Sequence, residues 1–327
     1  MNFSIPPQRV AAQRGVALLV ALLVVALATV LIAGLLDRGE LTAARTRNQL
    51  RTTQAEAYAQ GLEDYAARVL QQDQQDGASN DTSSDIWNVP LPPTPVPGGE
   101  ITATMRDLNG RFNLNNLSPN YQQHAIWEDK FRLLLGALKL DPNLADVVVD
   151  WMSTNPGAGT GDNFYLAQPV PYRSAKNIFF HISELRLLKG VSGDVYAQLA
   201  PYVSALPPGT LINVNTASVP VLMTLSTTTP ITQQTAQALW QQGHANYQLP
   251  LSGSLRAIAP DLSMDCGTPS TPGTPTNQSL CYGVQSTYFV ARGQITLDGL
   301  PFVFYSVIER RAGMGISVIQ RSRGADG

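Results

Sequence analysis

The stretch "RGVALLVALLVVALATVLIAGLLD", residues 14–37, sets an apolar run from Val16 to Leu36 between Arg14 and Asp37. The run is longer than the apolar core of a secretory signal, and no small-x-small cleavage site follows it, so it reads poorly as a segment to be discarded. At 1.5 Å per residue, a helix of this length spans about 31 Å, enough to cross the hydrocarbon core of a bilayer. Arg9 and Arg14 precede it without any acidic residue, and the border reads Arg14-Gly15-Val16.

Helical character continues beyond the run. From Asp37 to about residue 75 there is no proline, and Ala55, Tyr58, Leu62, Tyr65 and Val69 recur in steps of three and four, the signature of an amphipathic helix. The two segments together predict one helix of about sixty residues, roughly 90 Å long. Residues 76–99 are rich in Ser, Asp, Pro and Gly and read as a linker. Residues 100–107 then alternate Ile101, Ala103 and Met105 with Thr102, Thr104 and Arg106, as a half-buried strand does.

From Ser118 to Gly243 the pattern changes to short helices. Ile126, Leu134, Leu135 and Leu138 mark one face. Asp141-Pro142 opens a helix towards Trp151, and Ser183 caps a segment closed by Gly190. Ser192 caps another that ends near Tyr202, Asn215 precedes a helix through Leu225, and Thr232 one that stops at Gly243. Strand patterning returns from Tyr288 to Leu297, turns at Asp298-Gly299, and runs back through Phe302 to Ile308, with Ile316 to Ile319 as a final short strand. A helical block is thus expected between strands of one sheet.

The chain has 327 residues, 44% of them hydrophobic, and a net charge of −2, room for two compact domains beyond the apolar run. Cys266 and Cys281 are the only cysteines. In an exported protein they read as one disulfide closing a Pro/Gly/Thr-rich loop, worth about 3 kcal/mol; the alternative is two free thiols. Arg38, Arg45, Arg47 and Arg51 outnumber the basic residues ahead of the run, so loop charge alone is ambiguous or reversed as a guide to orientation. The cysteine pair and the glycine border outweigh that count and place the bulk of the chain outside the cytoplasm.

The Arg14-Gly15-Val16 border resembles the processing site of type IV prepilins, in which a membrane peptidase cuts after the glycine and the apolar helix is kept. Four further stretches, "GRFNLNNL" (110–117), "DWMSTNPGAGTGDNFY" (150–165), "SELRLLKGV" (183–191) and "INVNTASVPVLMTL" (212–225), resemble the protein K family of minor pseudopilins from type II secretion systems. The resemblance implies an α+β, pilin-like fold: a long N-terminal helix packed on an antiparallel sheet, with a large inserted all-α, SAM-like domain. It divides the chain into a leader (1–15), a membrane and fibre-core helix (16–36), a first pilin-like part (37–117), the inserted helical domain (118–243) and a β part with the disulfide loop (244–327).

Most pilins carry a glutamate at the fifth mature residue, whose carboxylate pairs with the N-terminal ammonium of a neighbour inside the apolar fibre core. Counted from Val16, that position is Val20. A subunit without the carboxylate suits the end of a fibre, and the resemblance implies a tip role. Within that role Gly15 and Val16 are the processing pair, and Ala55, Tyr58, Leu62 and Tyr65 pack on the sheet or on partner helices. Ser153 stands where relatives tend to carry an acid, so no role of that acid carries over. The implied partners are other minor pseudopilins, the inner membrane and the prepilin peptidase, with secreted cargo or an outer-membrane channel as further expectations. The implied location is a single pass through the inner membrane with the bulk in the periplasm. A calcium site is also implied, for which Asp261 and Asp265 beside Cys266 are hard-oxygen candidates and Asp162 a lesser one.

Catalysis is not expected. His124, His181 and His244 lack His-x3-His spacing, no G-x-S-x-G elbow is present, and the glycine-rich stretch 157–161 lacks the lysine of a phosphate loop. Helix-hairpin-helix modules can bind DNA, but between Ser118 and Ala245 seven basic residues face eight acidic ones. The footprint that nucleic acid requires is missing. Two rival readings are a minor pilin of a type IV pilus, acting in adhesion or DNA uptake, and a signal-anchored periplasmic hydrolase.

Overall fold

The computed structural model describes residues 11–76, 80–154, 162–243, 247, 255, 258–259, 281–311 and 315–324. The chain forms two compact units, residues 1–57 and 58–327. Helix α1 (Ala11–Gln75) contributes to both. It contains no proline, and Thr29, Thr42, Thr46 and Thr52 each donate their hydroxyl to the carbonyl four residues earlier, at 2.8–3.0 Å. Hydroxyls satisfied in this way do not compete for other backbone groups.

Within the second unit the remaining turns of α1 bury one stripe. Leu62, Ala66 and Leu70 are buried while Tyr65 stays 46% exposed. Steps of four residues keep 62, 66 and 70 on one face, and Ala66 is small enough for close approach where a tyrosine ring would hold the helix off. The stripe meets a five-stranded antiparallel sheet in the order β1-β2-β7-β8-β9. Its strands are β1 (Leu91–Val96), β2 (Gly99–Asp107), β7 (Tyr288–Leu297), β8 (Leu300–Arg311) and β9 (Gly315–Arg323).

Ala66 and Leu70 share a core with Trp87, Met105, Phe289 and Ile308, where Trp87 meets Phe289 edge to face at 5.3 Å. Gly293 lies at the centre of β7, and a Cβ there would stand 2.7 Å from Leu62 Cδ1. A glycine at this point lets the helix sit close to the sheet. Burial of each large apolar side chain contributes about 1.5–3 kcal/mol.

Two sheet features differ in legibility. Asp298 and Gly299 both have positive φ, 47° and 79°, the two-residue turn that matches strand twist and was foreseen from the sequence. β1, in contrast, falls inside the stretch read as linker. It pairs with β2 through Leu91, Thr94, Pro95 and Val96, with Pro92 and Pro93 in a register irregularity between Leu91 and Thr94, and an edge strand with a bulge tolerates prolines, which have no N–H to donate to the ladder.

Between β2 and β7 lies a block of short helices: α2 (His124–Ala137), α3 (Leu144–Met152), α4 (Asn163–Leu166), α5 (Gly193–Leu199), α6 (Val219–Leu222) and α7 (Gln233–Gly243). Two short parallel pairs join it, β3 (Phe112–Asn113) with β4 (Val203–Ser204) and β5 (Ile212–Asn213) with β6 (Tyr282–Gly283). Its core runs through Phe112, Trp127, Phe131, Trp151, Leu185 and Leu239. Ser192 and Thr232 cap as the sequence predicts, each accepting from the N–H three residues on. At 182–187 the cap is instead His181, whose Nδ1 accepts from Ser183 N at 3.1 Å while Glu184 accepts from His181 N at 3.0 Å. The helix expected from Asn215 through Leu225 is one turn, α6, which starts at Val219 with Pro220 in its first turn, and the Asn215 side chain holds Tyr247 instead of capping it.

Candidate functional site

Three regions hold the residues that bear on function. The first is the start of α1. Gly15 lies within the helix, and the large apolar side chains from Val16 to Leu36 are 53–69% exposed, Val20 at 53%. No charged residue interrupts them. An exposed apolar surface of this extent is met by lipid or by other helices.

The second region is the sheet-facing stripe. Leu62 is buried and Tyr65 is half exposed, while the half-buried Tyr58 donates its hydroxyl to the Pro97 carbonyl at 3.0 Å; Ala55, which falls in the first unit, is buried. Two carboxylates that the sequence reading did not single out also lie here. Glu63 accepts from Ser306 Oγ at 2.6 Å and takes the Arg321 guanidinium in a two-point contact at 2.7 and 2.8 Å. Burial pushes its carboxyl up, but the hydrogen bonds from Arg321 and Ser306 outweigh that and hold it below its ordinary value. Asp73 pairs with Arg310, and burial there prevails, raising the carboxyl above its ordinary value. Position 73 falls on the same face as 62, 66 and 70, so an acid on an apolar stripe was the readable signal.

The third region is the neck where the helical block leaves the sheet. Asp107, at the end of β2, accepts from the backbone N–H of Asn109 at 2.7 Å and Gly110 at 3.1 Å, and from the hydroxyl of Thr216. Burial drives its pKa up to about 6 against these bonds. Asn109 accepts from the N–H groups of Thr287 and Tyr288 and donates to the Leu211 carbonyl.

The asparagines of two quoted stretches do the same work further in. Asn113 joins Leu206 and Pro207, Asn115 joins Phe179 and Leu206, and Asn116 joins Gly209 and Thr210. Asn213 reaches Asp81 and Ser286, and Asn215 holds Tyr247. Each amide side chain acts as an extra peptide group between segments about 30 to 130 residues apart. These buried amides bond through both ends and hold loops in place, and they present no nucleophile or base.

The remaining candidates separate as follows. Asp261, Asp265, Cys266 and His244 lie outside the described residues; Cys281 is buried. Asp162 is held by the backbone N–H and hydroxyl of Ser174 and by Arg173, which lower its pKa to about 2. Among the described residues Asp73, Asp81 and Asp85 bring carboxylate oxygens within 4.8 Å of one another. Arg310 pairs with two of them, and Thr82 donates both its N–H and its hydroxyl to the third.

Known proteins give this geometry a family. The family described as "Type II secretion system (T2SS), protein K" matches residues 110–208. The "Type II secretion system protein K" of Pseudomonas aeruginosa is 34% identical over 96% of this chain and 94% of its own length. That of Pectobacterium carotovorum subsp. carotovorum is 33% identical over 70% of this chain and 77% of its own. The chain belongs to the type II secretion system protein K family. A solved chain from the GspK-GspI-GspJ complex of enterotoxigenic Escherichia coli shares the fold, with a TM-score of 0.66 and 23% identity over 86% of this chain and all of that one.

Within this protein K chain, the matched span 110–208 holds Asn113, Asn115 and Asn116 together with the segments they join at 179 and 206–210. The apolar start of α1 lies outside that span, yet the Pseudomonas protein K aligns over nearly the whole chain.

Proposed function

We propose that this minor pseudopilin ends the pseudopilus. In this reading a membrane peptidase cuts between Gly15 and Val16, the helix from Val16 to Leu36 first anchors the subunit in the inner membrane, and it then packs in the fibre core while the rest stands in the periplasm. The observation that carries the reading is the exposed, uninterrupted apolar surface of α1 with Val20 at the fifth position after Gly15. An unpaired ammonium is costly in an apolar core, and Val20 offers no carboxylate to a subunit above it.

The helical block between β2 and β7 supports the same place. Treated as a SAM-like insertion over 118–243, between pilin-like parts at 37–117 and 244–327, it is bulky for a subunit repeated along a thin fibre and suited to a cap. The solved relative is held in a complex with GspI and GspJ, so two other minor pseudopilins are the partners we assign, with nucleation of the fibre as the shared task. A Cys266–Cys281 disulfide closes the loop before β6. The chain works mechanically and not as a catalyst.

The test is the mature N-terminus, read by mass spectrometry in cells with and without the prepilin peptidase. The proposal expects a methylated Val16 only when the peptidase is present. A chain beginning at Met1 in both strains, or cut after Leu36, overturns it.

A further inference from the structure

Among the described residues beyond α1, nine large apolar side chains are exposed, and five of them, Leu166, Val170, Ile178, Phe180 and Leu187, fall within one stretch of the helical block. Phe180 is 73% exposed and Val170 is 78% exposed. Hydrogen bonds fold this stretch on itself: Tyr172 N donates to the Tyr165 carbonyl, and the Tyr172 hydroxyl donates to the Leu187 carbonyl at 2.7 Å. Phe180 N donates to Glu184, at the start of the turn that carries Leu187. A compact, held surface that leaves an aromatic ring and a valine in solvent is a contact surface in waiting.

The charge along the stretch itself leans positive, with Asp150 of α3 acting on Tyr165 and Asp194 in the first turn of α5 as the acids contributed by packed elements. Between residues 162 and 190 the basic residues are Arg173, Lys176, Arg186 and Lys189, and the acids are Asp162 and Glu184. Glu184 is spent on the N–H groups of Phe180 and His181, and Asp162 is shared by Ser174, Arg173 and Lys176. Arg186 and Lys189 are exposed and have no carboxylate partner among the described residues; they lie over the rings of Tyr196 and Phe164. Two cations fixed on aromatic faces beside exposed apolar groups favour a partner that brings carboxylates and an apolar side chain together.

We propose that the surface of Leu166, Val170, Phe180 and Leu187, rimmed by Arg173, Arg186 and Lys189, docks an extended or helical protein segment in which acidic residues flank an apolar anchor. Phe180 and Val170 take the anchor, and the rim cations set its orientation. The inference goes beyond the place of the chain in the fibre and does not depend on which end of it the chain occupies.

The test uses the full-length chain in cells that carry the secretion machinery, with a photoreactive benzoyl-phenylalanine at position 180 and, as a control, at the exposed Gln234 of α7. The cross-linked peptide is sequenced by mass spectrometry. The proposal expects a polypeptide adduct at position 180 and not at 234, on a segment with net negative charge around an apolar residue. It also expects the yield to fall at least about fivefold in an Arg186→Glu, Lys189→Glu background, as for loss of rim charges. An adduct to lipid, a segment without negative charge, a yield untouched by the charge reversal, or no adduct at all overturns it. Correct processing at Gly15, read in the same cells, shows that such a failure concerns this surface and leaves the pseudopilin assignment standing.

Discussion

Arg310 on β8 and Asp73 near the end of α1 form a buried ion pair, Nη1 to Oδ2 2.7 Å, with side chains 6% and 7% exposed. The same guanidinium bonds Asp81 and the Ser286 carbonyl and lies over the Phe289 ring at 4.7 Å. Arg310→Ala therefore leaves two buried carboxylates without their cation. We expect a loss of about 3–5 kcal/mol, against about 1 kcal/mol for Arg132→Ala, whose partners Asp129 and Asp146 are exposed and Glu128 partly so. Urea unfolding in detergent micelles measures both.

Asp107 gives the neck a pH dependence. Its folded pKa of about 6 exceeds the ordinary 3.8, so the folded state holds the proton more tightly. The associated stability is fully present below pH 3.8, fades as pH rises through about 6, and amounts to at most about 3 kcal/mol. Asp73 is shifted in the same direction. Asp107→Asn lowers stability outright, because one acceptor oxygen is lost, but it flattens the slope between pH 4 and 6. Unfolding midpoints across that range, compared between variant and parent, decide the matter; equal slopes would refute it.

The stripe on α1 predicts unequal neighbours. Leu62 is 7% exposed and Tyr65 is 46% exposed, so Leu62→Ala should cost about 2–5 kcal/mol, whereas Tyr65→Ala stays within about 0.5 kcal/mol of the parent. A thermal melt of the isolated subunit separates the two. Secretion assays add whether Tyr65 matters once partner subunits are present.

Asn115 holds Phe179 at both its N–H and its carbonyl, and Leu206 at its carbonyl, at 2.7–2.9 Å. Asn115→Leu leaves these buried groups unpaired and should destabilise by about 2–4 kcal/mol. Asn115→Asp should not rescue it, since an acid cannot donate to the two carbonyls. Amide exchange at Phe179 is the direct readout: its N–H donates to the Asn115 oxygen, so protection is lost in Asn115→Leu, whereas Asn115→Asp keeps that acceptor and loses stability through the two unpaired carbonyls.

How far the sequence carried this picture depended on range. The α1 helix was legible because proline-free steps of three and four are local, and so were the Asp298-Gly299 turn and the caps at Ser192 and Thr232. β1 was not: prolines signal loops, and only its place at the sheet edge makes them tolerable. The cap at His181 was hidden because a histidine rarely takes that role. The asparagine joints were quoted as family stretches without a physical role, since their partners are up to 132 residues away and amides leave no periodic trace. Gly99 shows the same limit. A Cβ there would stand 1.7 Å from the Thr296 carbonyl oxygen, a clash set wholly by the distant strand β7.

The insertion of the helical block between β2 and β7 also sets a timetable. Asn109 and Tyr288, bonded at 2.9 Å, are 179 residues apart, which at ordinary synthesis speeds is on the order of ten to thirty seconds. Throughout that interval the stripe of Leu62, Ala66 and Leu70 waits with most of its sheet unmade. Glu63 and Asp73, ionised and hydrated on the same turns, interrupt what would otherwise be a sticky face, as charged residues beside unavoidable apolar segments do. Their neutralising arginines, 310 and 321, are nearly the last residues of the sheet to emerge. The newborn helix thus carries its own protection against wrong partners until the strands that replace it arrive.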